Sequence, residues 1–140
     1  MSLSADSCLK RIRKYVEAAG YKEVSDARVR EACLTNNFDP RNAANQLISE
    51  EQLKIYLEDM CVRLGYQPNK QFICTSCIKY KFKQAPVEKY TLKLFQAKKK
   101  VKLECKKAQI ITPEDDKLDQ LIMYYFGEWN AVLHSIRQDL

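Results

Sequence analysis

Apolar residues recur at every third or fourth position through the first fifty residues. Leu9, Ile12, Val16 and Ala19 share one helical face, and Gly20 follows where a C-cap glycine belongs. Ser25 is a natural N-cap for a second helix that buries Val29, Ala32 and Cys33 and stops at Asn36-Asn37, a pair that tolerates left-handed backbone. Asp39 and Pro40 open a third helix with Ala43, Ala44, Leu47 and Ile48 inward, and Phe38 staples its start to the core. A linking helix begins near Ser49 and Glu51, carries the stripe Leu53, Tyr56, Leu57, Met60, Cys61 and Leu64, and ends at Gly65 and Pro68.

Beyond Cys77 the apparent period falls to two. Tyr80 and Phe82 alternate with Lys79, Lys81 and Lys83; Tyr90, Leu92 and Leu94 alternate with Thr91 and Lys93; Val101, Leu103 and Cys105 alternate with Lys102 and Glu104. This pattern predicts half-buried strands, the last two joined at QAKKK into a hairpin with Lys98, Lys99 and Lys100 at its tip. Thr112-Pro113 then starts one long C-terminal helix, striped from Leu118 to Ile136 and bent at Gly127. The expected fold is α+β: a three-helix bundle over 1–50, then over 51–140 a helix, a small basic antiparallel β region and a long amphipathic helix.

Ala19-Gly20-Tyr21, followed by VREACLTNNFDPRNAANQLI, resembles a ubiquitin-associated (UBA) domain over about residues 8–49. It is similar also to the UBA-like bundles at the amino termini of elongation factor Ts and of ribosome-rescue GTPases. The resemblance implies a protein-binding bundle, ubiquitin among its partners, with the contact surface at Gly20, Tyr21, Leu47 and Ile48. Ala19 stands where the family usually has Met, and a bundle that packs on its own chain or on another subunit is the alternative.

Charge sharpens the picture of the second half. The 140 residues sum to +6, yet between Lys79 and Lys107 eleven lysines face two acids, 11 − 2 = +9, which leaves −3 for the rest. Such asymmetry points to an acidic partner, with nucleic acid, RNA above all, as one candidate and a solvated lysine face as the other reading. The residues expected to contact phosphate are Lys79, Lys81, Lys83, Lys93, Lys98, Lys99, Lys100 and Lys102. No run reaches the roughly 18 apolar residues of a membrane span, and the polar start MSLSADSCLKRIRK lacks a signal-peptide core. The expectation is an intracellular protein, cytoplasmic or nuclear, with reduced thiols and no membrane partner.

The six cysteines then read as buried thiols or as metal ligands. Cys74 and Cys77 form a Cys-x-x-Cys pair ahead of the basic segment, and Cys105 follows it. With this order, residues 52–108 resemble, more distantly, the zinc-ribbon protein subunits of the ribonuclease P and MRP ribonucleoproteins. The resemblance implies a degenerate ribbon with Cys74, Cys77 and Cys105 around one structural zinc, or no cofactor where the site has decayed, since Ala108 occupies the fourth ligand's place. No phosphate-binding glycine loop, nucleophile–base set or paired catalytic carboxylate is present, so the chain is expected not to be an enzyme. The expected function is an adaptor that uses the bundle for protein and the lysine hairpin for nucleic acid or another acidic surface. The alternative is an RNA-binding subunit of an RNA-processing ribonucleoprotein.

Overall fold

A computed structural model describes residues 4–139, and among these there are seven helices and no strand. They are α1 (Ala5–Ala18), α2 (Asp26–Thr35), α3 (Pro40–Arg63), α4 (Lys70–Lys79), α5 (Gln84–Lys107), α6 (Asp115–Tyr124) and α7 (Trp129–Gln138). Local chemistry starts several of them. The Ser4, Ser25 and Asn69 side chains accept from backbone N–H groups of the first turns of α1, α2 and α4. Asp39 Oδ1 accepts from the Arg41 and Asn42 amides at the head of α3, beside Pro40, whose missing N–H costs nothing there.

The α+β expectation is overturned, and with it the β-hairpin, the ribbon and the long final helix. The lysine segment is α5, whose buried residues Val87, Tyr90, Thr91, Leu94, Ala97, Val101 and Cys105 keep helical spacing. Alternation of Tyr90, Leu92 and Leu94 was a partial view of that face. The supposed turn QAKKK lies in mid-helix, and it contains no Gly, Pro, Asn or Asp; Ala, Lys and Gln are strong helix formers. Tyr80-Lys81-Phe82 is the tight link between α4 and α5. The final stripe is two helices, broken where Phe126 and Gly127 both take positive φ, 54° and 73°. Glu114, rather than Thr112, is the N-cap residue of α6. Conversely, the break expected near Ser49 is absent, and α3 runs unbroken to Arg63.

One device ends six helical segments. A residue with positive φ stands at Gly20, Asn37, Gly65, Lys81, Gln109 and Phe126. In each case the N–H of the next residue reaches back five positions: Tyr21 to the Val16 carbonyl, Phe38 to Cys33, Tyr66 to Cys61, Phe82 to Cys77, Ile110 to Cys105 and Gly127 to Ile122, at 2.8–3.1 Å. This is the Schellman closure, in which orphan carbonyls of a helix end are satisfied by a left-handed residue. The accepting residues Val16, Cys33, Cys61, Cys77, Cys105 and Ile122 are all buried. Four of the six cysteines therefore occupy one structural position, the last core residue of a helix, where a small apolar group fits beneath the turn.

The closures alternate in kind, and the pair recurs three times along the chain. Gly20, Gly65 and Gln109 (steps of 45 and 44) lead into an extended segment; Asn37, Lys81 and Phe126 (steps of 44 and 45) lead almost directly into the next helix. Between them lie α2, α4 and α6, each of ten residues. Buried positions keep the same register: Ile12, Leu57 and Val101; Val29, Ile73 and Leu118; Ala43, Val87 and Val132. The chain is thus a threefold repeat of one helix–turn–helix–turn unit. The long helices α3 and α5 each close one repeat and open the next.

By contacts the chain forms two compact units, Met1–Ile55 and Tyr56–Leu140, which divide within α3. The first has a core of Cys8, Ile12, Val16, Val24, Val29, Ala32, Cys33, Ala43, Ala44 and Leu47, flanked by Leu9, Tyr21, Phe38 and Ile48. Arg13 ties α1 to the start of α2 through the Val24 carbonyl (2.5 Å) and Asp26 (2.6 Å). Arg28 bridges to Glu50 (3.0 Å) and Glu51 on α3, and Lys54 adds to Glu51 at 3.3 Å. Partial burial raises the Glu51 pKa, yet the Arg28 hydrogen bond and the Lys54 charge outweigh it and hold the carboxyl below its usual value. In the second unit Phe72 meets Phe95 edge-on at 5.2 Å, and the Gly127 turn lies against α5. A Cβ on Gly127 would stand 3.0 Å from Lys93 Cγ, so close approach as well as φ selects glycine there.

Two outcomes follow from this architecture. Lys99→Pro, neutral at a hairpin tip, falls in the interior of α5 and should cost about 3 kcal/mol or more in urea unfolding. Because the folded Glu51 pKa is depressed, its contribution is present above the unfolded value and lost as pH falls through the folded one. The unfolding midpoint of the wild type should therefore drop below about pH 4.5 more steeply than that of Arg28→Met, measured side by side from pH 7 to pH 3.

Candidate protein-docking surface

The helical fold turns most of the α5 lysines toward the protein's own carboxylates. Lys93 pairs with Glu128 (2.5 Å), Lys98 with Asp119 (2.9 Å), Lys100 with Glu104 (3.3 Å) and Lys102 with Asp115 (3.1 Å). Asp115 is held below the usual carboxyl range by its Lys102 hydrogen bond and the Lys98 charge, and Glu104 likewise by Lys100 and then Lys107. Lys100 also lies 5.1 Å from the Trp129 ring. Among the described residues, Lys81, Lys83 and Lys99 make no ion pair and are exposed.

Asp119 is the buried member of this set, 7% exposed. Its Oδ1 takes the Lys98 ammonium, and its Oδ2 accepts from Asn69 Nδ2 at 3.0 Å. Asn69 in turn accepts the Phe72 N–H at 3.1 Å and so caps α4. A chain from Lys98 through Asp119 and Asn69 to the Phe72 amide thus joins α5, α6 and α4. An open cleft of about 680 Å³ lies over it, lined by Tyr66, Phe95, Lys98, Lys102, Asp115 and Asp119 among others. Within it Lys98 and Lys102 are paired with Asp119 and Asp115.

The other residues singled out by sequence are dispersed. Gly20 is exposed and Tyr21 half-buried, but Leu47 is 1% exposed and belongs to the core, with Ile48 packed beside it. Only the turn residues are left for a partner. Cys74 is partly exposed, while Cys77 and Cys105 are buried beneath the ends of α4 and α5. Among the described residues no group of three or more His, Cys, Asp or Glu could hold a metal ion, so the zinc set does not fit. Burial pushes the Cys61 thiol up to about 11, as befits a packed core cysteine.

A surface not picked out by periodicity lies at the ends of α4 and α6. Tyr124 is 73% exposed and Phe126 56%, and with Met123, Tyr125, Glu128 and Ala131 they line an open groove of about 650 Å³. The Lys79 ammonium sits 4.3 Å from the centre of the Phe126 ring and within 6 Å of Tyr80 and Tyr90. Thr75 Oγ1 lies 3.2 Å from Met123 Sδ, holding α4 beside α6. Ile78, next to Lys79, is 71% exposed. A continuous stripe reading places Tyr125 and Phe126 on one core face; the turn throws Phe126 outward. The missed signal was the spacing of Asn37-Phe38, Lys81-Phe82 and Phe126-Gly127.

Comparison of the chain with protein-family models, with curated proteins and with solved structures finds no match. Neither resemblance becomes a family assignment: the ribbon is overturned by α4 and α5, and no family model supports membership of the UBA family. No helix among the described residues is long and apolar enough to cross a membrane.

The buried ion pair gives a measurable consequence. Asp119→Leu takes from Lys98 its 2.9 Å partner and from Asn69 the acceptor that orients the α4 cap, and should lower unfolding stability by about 3 kcal/mol. Adding Lys98→Met removes the stranded charge and should restore more than half of the loss in the same urea titration.

Proposed function

We propose that this protein is a non-enzymatic binding module whose second unit captures a protein segment that combines an apolar anchor with acidic residues. The observation that carries the reading is Phe126. In the other repeats the same two-residue turn is Asn37-Phe38 and Lys81-Phe82; there the ring, also at positive φ, is the second residue and is half-buried, whereas Phe126 comes first and is exposed. Nothing in the turn calls for a large aromatic ring, and left-handed backbone costs a non-glycine residue about 1 kcal/mol or more. A bulky aromatic ring held there, more than half exposed, is poorly explained by stability and well explained by recognition.

The neighbours suit that role. Tyr124, Phe126 and Met123 are side chains that anchor protein interfaces, by area and by adaptable packing. Lys79 supplies positive charge beside them and is kept close by aromatic faces rather than by a carboxylate, and the exposed Lys81 and Lys83 follow it in the chain. The reading that places nucleic acid on α5 draws less support, because Lys93, Lys98, Lys100 and Lys102 are already neutralised within the chain.

A random peptide-display library panned on the wild type should enrich sequences with an aromatic or aliphatic anchor flanked by Asp or Glu. Phe126→Asn should reduce capture of those peptides at least tenfold while changing stability by no more than about 1 kcal/mol, because relief of left-handed strain offsets the lost Lys79 contact. Equal capture by Phe126→Asn, or binding only to single-stranded RNA with steep salt dependence, contradicts the proposal.

A further inference from the structure

The first unit holds a second, independent feature. Cys8 in α1 and Cys33 in α2 are 0% and 2% exposed, and their sulfurs are 3.1 Å apart. At the corresponding places the second repeat has Leu53 and Cys77, and the third has Ala97 and Ile122. The core needs no sulfur at either position, yet the first repeat has one at both, in contact.

We propose that Cys8 and Cys33 are an oxidisable pair that closes to a disulfide and clamps α1 to α2. A disulfide sets its sulfurs about 2.05 Å apart, so side-chain rotations that shorten the present contact by about 1 Å complete the bond. No helix needs to move by a turn. The two helices run antiparallel, since Arg13 meets Asp26 at one end of the pair and Cys8 meets Cys33 at the other. The ion pair ties only the first of these ends, and the disulfide fastens the second. The residues joined are 25 positions apart, so the bond removes much of the unfolded chain's freedom.

The co-reactant is a peroxide. One thiolate attacks a peroxide oxygen, the O–O bond breaks, and the sulfur becomes a sulfenic acid as hydrogen peroxide releases one water. The second thiol then displaces the sulfenic oxygen as a second water, and the S–S bond forms. Both sulfurs together lose two electrons, which the peroxide gains. Burial keeps the reaction slow: the Cys8 thiol is pushed up to about 11 by desolvation and then by Cys33. Access comes by opening of the first turn of α1, which begins at Ala5, one turn from Cys8.

The test treats the reduced full-length protein with hydrogen peroxide under native conditions, then blocks free thiols and digests with trypsin. The expected product joins peptides 1–10 and 31–41, which contain Cys8 and Cys33, with a mass two hydrogens lower than the reduced pair. The melting midpoint of the oxidised protein should rise by roughly 10 °C and return on reduction with dithiothreitol. Peptides 1–10 and 31–41 recovered with separate blocked or over-oxidised thiols overturn the proposal. A mixture of pairings no different from that formed in urea does so as well, because the native contact would then have selected nothing.

Discussion

The structure depends on one backbone bond repeated six times: an amide just past a left-handed residue reaches back to the carbonyl of the last buried residue of its helix. Each bond ends a helix at a defined residue and reverses the chain in very few residues. A hydrophobic residue usually follows the left-handed one, as Tyr21, Phe38, Tyr66, Phe82 and Ile110 do, and can cover the helix end. With only three glycines in the chain, Asn37, Phe38, Lys81, Phe82, Gln109 and Phe126 take up the strained conformation, each at some backbone cost. Core packing under the turns must supply the difference. That packing is the job of Val16, Cys33, Cys61, Cys77, Cys105 and Ile122.

This constraint explains both what could be read from the sequence and what could not. The starts of α2 and α3 were legible because Ser25, Asp39 and Pro40 act through their own side chains or rings. The stop at Gly20 was legible for the same local reason. Turns made by Lys81, Gln109 and Phe126 carry no such chemistry, so a helix end looked like a strand at Tyr80-Lys81-Phe82 and like a mere bend at Phe126-Gly127. The cysteines were misleading in a physical sense. Cys77 and Cys105 share a position beneath a turn, whereas Cys74 is a partly exposed neighbour on α4, so the Cys-x-x-Cys pair spans two different environments of one helix. Comparing the chain with itself at steps of 44 and 45 residues would have exposed the repeat.

The same geometry redistributes the charge. Eleven lysines between Lys79 and Lys107 look like a cationic arm in one dimension. Of those wound into α5, Lys93, Lys98, Lys100, Lys102 and Lys107 meet Glu128, Asp119, Glu104 and Asp115, and the buried Asp119 pairs with Lys98 while it orients the Asn69 cap of α4. What is left for recognition is a smaller, mixed surface in which Lys79 and its rings stand beside Tyr124 and Phe126. The proposed binding role therefore rests on where two turns place side chains, and much less on net charge. For the candidate site, sequence named Lys79 and Lys81, and Phe126 as an interface-type residue assigned first to the core, but not Tyr124, because exposure at a turn has no periodic signature.

Backbone NMR assignment tests the repeated-turn architecture most directly. The account predicts uninterrupted helical carbon shifts from 84 to 107, with left-handed signatures at Asn37, Phe38, Lys81, Phe82, Gln109 and Phe126. Extended shifts over 90–94 and 101–105, with a turn at 96–100, would contradict it.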